Sequence, residues 1–93
     1  MVPKEYAGIR YDDPGLQAEF ERLLAQITAA ERARAPIAQQ LQDAEQQRDN
    51  GRISRDQFEA AEDKYIGANN TIARAKRAVD QFLGQYKNYR VER

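Results

Sequence analysis

The 93-residue chain contains no cysteine and no histidine. Without cysteine it has no disulfide framework, no thiol nucleophile and no zinc site built on thiolates. Without histidine it lacks the commonest metal ligand and the commonest general base of enzymes. These absences remove the most frequent catalytic and metal-binding chemistries. We therefore predict a protein that is not an enzyme and that binds neither a metal nor a cofactor.

Long apolar runs and an excess of one charge are also missing. No apolar stretch approaches the roughly 20 residues that a membrane span requires, and the N-terminus lacks the apolar core of a secretory signal. The 15 basic and 15 acidic residues give a net charge of zero, which argues against broad adhesion to nucleic acid or membranes. We expect a cytoplasmic protein or a part of a phage particle, without membrane contact and with nucleic acid disfavoured as a partner.

The abundant residues favour long, solvated helices. Fifteen alanines and ten glutamines accompany 32% charged residues, a mixture that suits helices better than a compact β domain. One domain is the upper limit at this length. Arginine outnumbers lysine eleven to four, which is compatible with a GC-rich bacterium or its phage.

The chain begins with a segment that we call the arm, residues 1–13, and continues into a first helix predicted for residues 14–49. The arm has apolar side chains but no helical period, which predicts an extended conformation. Asp13 before Pro14 supplies an N-cap and a proline at the first helical position. The apolar residues of the arm are Val2, Tyr6, Ile9 and Tyr11.

Apolar residues recur along the first helix with heptad spacing. They are Leu16, Phe20, Leu23, Ile27, Ala30, Ile37, Leu41 and Ala44.

Four local signals agree on a turn between two helices. Gly51 can adopt the left-handed conformation that ends many helices. Ser54 is a natural N-cap residue. Ser54 and Gln57 have the spacing of a capping box, and Ile53 and Phe58 have the spacing of a hydrophobic staple. The sequence therefore predicts that a second helix starts directly after this turn.

The second helix is predicted for residues 55–88, after the turn at residues 50–54. Together with the first helix it predicts an all-α fold, an antiparallel, coiled-coil-like two-helix hairpin over residues 14–93 with an extended N-terminal arm. We call the apolar positions of both helices the seam. In the second helix these are Phe58, Ala61, Tyr65, Ala68, Ile72, Ala75, Val79, Phe82, Tyr86 and Tyr89.

Arg34 interrupts the seam of the first helix. Pairing positions whose numbers sum to 102 sets large side chains against small ones in most layers near the turn and the centre, and it sets Arg34 opposite Ala68. Pro36 and Gly67 lie nearby and weaken both helices. Two interpretations stay open, a tolerated kink or a notch where a partner docks with Arg34 as its anchor.

Two helices bury only one stripe each, which predicts self-association or docking on a larger assembly, although a marginal monomer is the competing interpretation. Four apolar residues off the seam are predicted to remain available for such a contact, namely Leu24, Ile66, Ala73 and Leu83. Both chain ends meet at the open end of the hairpin, where tyrosine and arginine, residues typical of interface hot spots, accumulate. The predicted partner-binding residues are Tyr6, Ile9, Tyr11, Arg34, Tyr86, Tyr89 and Arg90. The alternative is that the arm folds back and caps its own hairpin.

The charged clusters have simple structural explanations. Carboxylates crowd the start of the second helix, where the helix dipole favours them and no calcium-loop spacing is present. The basic C-terminal third carries Tyr86 and Tyr89, a combination that can bind single-stranded nucleic acid, but cations are also favoured at a helix C-terminus.

Three functions follow as hypotheses. The leading one is a non-catalytic assembly or interaction protein, for example a small structural or accessory component of a phage particle or bacterial complex. The alternative is a small regulator or inhibitor that docks on an enzyme, such as a phage-encoded blocker of a host defence enzyme. The third is nucleic-acid binding through the basic C-terminal third.

Overall fold

The computed structural model describes residues 3–92 and confirms the predicted antiparallel two-helix hairpin. Val2 of the arm and Arg93 of the basic C-terminal third lie outside the described residues. In chain order the elements are a 3-10 helix Lys4–Tyr6, strand β1 (Ile9–Tyr11), helix α1 (Pro14–Asp49), helix α2 (Arg55–Gln85), a 3-10 helix Lys87–Tyr89 and strand β2 (Arg90–Glu92). The arm thus contains a helical turn as well as extended chain.

Helix α1 begins at the predicted cap. The Asp13 carboxylate accepts a hydrogen bond from the Leu16 backbone N–H at 3.0 Å, and the Asp13 carbonyl accepts one from Gln17 at 2.9 Å. Pro14 occupies the first helical position, where a missing N–H costs nothing. The helix continues through Pro36 to Asp49.

Gly51 ends α1 in the left-handed conformation, with φ of +71°. The Arg52 N–H donates to the Gln47 carbonyl at 2.8 Å, and the Gly51 N–H donates to the Arg48 carbonyl at 3.0 Å. These two bonds form a Schellman motif, which satisfies carbonyl groups at the helix end.

Helix α2 begins with the predicted capping box. The Gln57 backbone N–H donates to the Ser54 hydroxyl at 3.2 Å, and the Ser54 N–H donates to the Gln57 side-chain oxygen at 2.9 Å. Phe58 is buried beneath the Arg48 guanidinium, which lies 4.1 Å from the ring centroid. The helix ends at Gln85, three residues before the predicted end, because the chain then turns toward β2.

The chain forms two compact units. Unit 1 comprises Met1–Ala29 with Ala73–Arg93, and unit 2 comprises Ala30–Ile72. In unit 1 the seam is buried most completely at Phe20, Ile27 and Val79.

The rings of Phe20 and Phe82 stack in unit 1 with centroids 6.2 Å apart. This contact agrees with the layer that pairing to a sum of 102 predicts for these two residues.

Leu24 and Leu83 correct one expectation from the sequence. They were predicted to remain available for a further contact, yet only 7% and 9% of their surfaces are exposed. They join a core cluster that includes Tyr6 and Tyr11 of the arm. The arm therefore supplies within the chain the contact that the sequence analysis assigned to a partner.

In unit 2 the seam is less completely covered. Phe58 and Ile72 are buried, whereas Ile37 and Tyr65 are half-buried. Ile66 lies off the seam and exposes 55% of its surface. With Tyr89 it is one of the two large hydrophobic residues that are exposed in the described part of the chain.

Candidate interaction surface

A two-stranded antiparallel sheet joins the arm to the C-terminal segment. The paired residues are Ile9 with Glu92, Arg10 with Val91, and Tyr11 with Arg90. The sequence analysis did not predict this sheet, because strands of three residues carry too little alternation to be distinguished from loop. The alternation of Ile9, Arg10 and Tyr11 is the one signal in the sequence that could have indicated it.

Tyr11 is the centre of an aromatic cluster in unit 1. Its ring contacts Phe20 and Phe82 edge-on, with centroids 5.6 and 5.4 Å away, and it is only 4% exposed. Its backbone N–H donates to the Gln17 side-chain oxygen at 2.8 Å. Burial raises the pKa of the Tyr11 hydroxyl, and the charge of Arg90 partly opposes this shift.

Tyr6 attaches the first turn of the arm to α2. Its hydroxyl donates to the Asp80 carboxylate at 2.9 Å, and its side chain is 5% exposed. Burial, followed by the hydrogen bond to Asp80, raises the pKa of Tyr6 well above its ordinary value. An ion pair of 3.6 Å joins Lys76 to Glu5 beside it. Asp80, Lys76 and Glu5 could not be predicted from the sequence as contacts of the arm, since no residue spacing links the arm to a helix face so distant along the chain.

The aromatic cluster extends to the surface through two further tyrosines. The Phe82 and Tyr86 rings lie 4.8 Å apart, and those of Tyr86 and Tyr89 lie 6.3 Å apart. Tyr86 is half-buried, whereas Tyr89 exposes 63% of its surface, because it follows the end of α2 instead of continuing the seam as predicted. We call Tyr86, Tyr89 and the half-buried Arg90 the tyrosine patch.

Arg34 belongs to unit 2 and therefore stands apart from the other predicted partner-binding residues. Its guanidinium donates to the Asn69 side-chain oxygen at 2.9 Å, and the residue is half-buried. Asn69 neighbours the residue that was predicted to face Arg34. This hydrogen bond satisfies one of the five guanidinium N–H donors within the chain, and the role of Arg34 as an anchor for a partner stays a prediction.

The structure thus groups six of the seven predicted partner-binding residues in unit 1. Four of them, Tyr6, Ile9, Tyr11 and Tyr86, pack in or against one core. The other two, Tyr89 and Arg90, follow the end of α2. The buried rings of Tyr6 and Tyr11 present almost no surface to another molecule. A role in partner binding stays a prediction for the whole set, and Tyr89 offers the largest accessible ring.

Two further observations concern the described residues as a whole. Within residues 3–92, no three Asp, Glu, His or Cys side chains are grouped closely enough to hold a metal ion. In the same part of the chain, neither helix combines the length and the apolar character needed to cross a bilayer.

No protein-family model matches this chain, and no curated protein or solved structure matches it either.

Proposed function

We propose that the chain is a non-catalytic interaction protein that associates through the open end of its hairpin. The observation that carries the proposal is the exposure of Tyr89 at the end of an aromatic series in which Tyr11, Phe20 and Phe82 are buried and Tyr86 is half-buried. Tyrosine is among the residues that contribute most to protein interfaces.

The surroundings of Tyr89 fit an interface better than a solvated helix end. The Tyr86 ring contacts the Tyr89 ring from one side, which reduces the conformational entropy that Tyr89 would lose on binding. Arg90 adds a planar cation next to the aromatic surface, and arginine is enriched at interfaces together with tyrosine. Tyrosine and arginine are two of the three residue types that are enriched in interface hot spots.

The partner in this proposal is a second copy of the chain or a larger assembly. A small structural or accessory component of a phage particle or bacterial complex agrees with the small size, the arginine-rich composition and the absence of histidine and cysteine. Recovery of the protein as a stoichiometric part of a particle supports this setting. Recovery in a soluble complex with one enzyme instead supports the alternative, a docked regulator.

The test compares two single variants of the full chain. Tyr89→Ser removes the exposed ring of the tyrosine patch, and Ile66→Ser removes the other large exposed hydrophobic residue as a matched control. Light scattering over a range of concentrations measures association, and circular dichroism checks that both variants fold. We expect Tyr89→Ser to weaken association several-fold and Ile66→Ser to leave it unchanged. Equal association of both variants and the natural chain contradicts the proposal.

A gel-shift series at low salt separates this function from nucleic-acid binding. Lys87 and Tyr89 are both exposed, as a single-stranded nucleic-acid site would require. If the chain binds such probes, the affinity falls steeply with added salt. We expect no retardation of either single- or double-stranded probes.

A further inference from the structure

The arm is held to unit 1 by contacts that do not depend on its covalent connection to α1. Strand β1 pairs with β2. The Tyr6 hydroxyl bonds to Asp80, Glu5 pairs with Lys76, and the Tyr11 ring packs into the aromatic cluster. Each of these contacts could be made equally well by the arm of another copy.

The surface beneath the arm is apolar and has to be covered. Leu24 and Leu83 lie off the seam, and the rings of Phe20 and Phe82 contact Tyr11. If the arm left without replacement, these four side chains would lose much of their burial, which is unfavourable in water. The helices of unit 1 therefore require an arm at this position, but it can be the arm of the same chain or the arm of another copy.

The connection between arm and helix is short, and two of the attachments of the arm are weak. Only the exposed residues Asp12 and Asp13 link β1 to α1. The pair of Glu5 and Lys76 is solvent-exposed, so it contributes little, and a two-stranded sheet of three-residue strands is marginal on its own. Detachment of the arm exposes Tyr6 and Tyr11 but leaves both helices formed, so it requires less free energy than global unfolding.

We propose that two copies of the chain exchange their arms, so that each arm packs on unit 1 of the other copy and pairs with β2 there. Exchange of an identical segment gives a symmetric dimer that reproduces the contacts of the monomer. Because those contacts are equal in both states, an additional contact has to favour the dimer. The tyrosine patch adjoins β2 along the chain and provides such a contact. The exchange therefore rests on the proposed self-association and names the segment that each copy contributes.

Cysteine pairing tests where the arm lies. Arg10 and Val91 face each other in the sheet, neighbouring strands fall within disulfide range, and the natural chain has no cysteine. Copies carrying Arg10→Cys are refolded together with copies carrying Val91→Cys and oxidised, and the products are separated without reductant. We expect several-fold more covalent heterodimer than in a control mixture of Arg10→Cys with Glu45→Cys, since Glu45 is an exposed residue of α1.

The double variant Arg10→Cys/Val91→Cys distinguishes the possible failures. Its dimeric fraction is isolated by size and then oxidised. A covalent dimer supports exchange. A disulfide found only within single chains overturns exchange, yet it leaves the proposed self-association standing because the fraction is dimeric. A protein that is monomeric at every concentration overturns both proposals.

The length of the linker provides a second measurement. Two glycines inserted between Asp12 and Asp13 relax the connection of each arm to its own helix, which favours the closed monomer. The insertion leaves every contact of the arm in place. We expect the dimer fraction to fall several-fold, whereas an unchanged or increased dimer fraction contradicts exchange.

Discussion

At the scale of single residues, two tyrosines of the arm are almost equally buried but differ in their polar contacts. The Tyr6 hydroxyl donates to Asp80, whereas no described residue bonds to the Tyr11 hydroxyl, which is also hidden from solvent. A buried hydroxyl without a partner costs free energy, while one with a partner contributes modestly to stability. Removal of the two hydroxyls should therefore have opposite effects.

Tyr6→Phe should lower the free energy of unfolding by about 1 kcal/mol at neutral pH, because it removes the bond to Asp80. The folded pKa of Tyr6 is raised above its ordinary value of 10.0, so the stability linked to its protonated form is present below that pH and is lost as the pH rises above it. The difference between natural chain and variant should thus be constant below about pH 10 and shrink as the pH rises above that value. Denaturant titrations measure it, with Tyr89→Phe as an exposed control. Parallel pH profiles for the natural chain and Tyr6→Phe would show that the linkage is absent.

Tyr11→Phe should leave the stability unchanged or raise it by about 1 kcal/mol, because the ring contacts with Phe20 and Phe82 remain and only an unpaired hydroxyl is removed. Thermal unfolding followed by circular dichroism measures the effect. A loss of stability as large as that of Tyr6→Phe would mean that the Tyr11 hydroxyl has a stabilising partner.

At the scale of elements, the two helices are delimited by caps and by one glycine of special conformation. Gly51 has φ of +71° at the end of α1, whereas Gly67 lies inside α2 with open space where a side chain would begin. A side chain is strained in the first position and favoured in the second. The two glycines should respond differently to the same substitution.

Gly51→Ala should destabilise the protein by about 1 kcal/mol, because alanine disfavours the left-handed conformation. Gly67→Ala should stabilise it by about 0.5–1 kcal/mol, because alanine is the better helix former and meets no neighbour there. Chemical denaturation of both variants beside the natural chain measures the pair. If Gly67→Ala destabilises, its helix face is in contact with something that the folded chain alone does not show.

At the scale of the whole molecule, the arm and the segment after α2 both contribute side chains to one core. The arm and the segment after α2 pair as strands, and the arm covers off-seam leucines that the two helices leave open. Unit 1 is therefore more than a pair of helices, because residues from four segments of the chain contribute to its packing. The arm is the element on which this arrangement depends.

Deletion of residues 3–11 should lower the melting temperature by roughly 10 °C or more, because the burial of Tyr6, Ile9 and Tyr11 is lost. The helices should still form, as circular dichroism at low temperature will show. Under the proposed exchange, light scattering should also show that association is abolished. A truncated chain that keeps its melting temperature would mean that the arm does not stabilise its hairpin.

The sequence alone determined the local features of the fold, because their causes lie within a few residues. The cap at Asp13, the left-handed glycine at residue 51 and the capping box of Ser54 and Gln57 each depend on side chains and backbone in one turn of chain. Heptad spacing likewise predicted which faces of the helices meet, since it follows from the helical period itself.

Tertiary structure decided where the arm and the C-terminal segment lie, because those contacts join residues that are between 74 and 83 positions apart. The bond from Tyr6 to Asp80 and the pairing of β1 with β2 leave no periodic signal in either segment. The burial of Leu24 and Leu83 depended on the packing of the arm against the helices. An apolar residue off the seam can be covered by the chain itself or by a partner. Only the position of the arm in the folded chain shows which of the two covers these leucines. Hydrophobic burial is non-directional, so it leaves no pattern in the sequence of the arm.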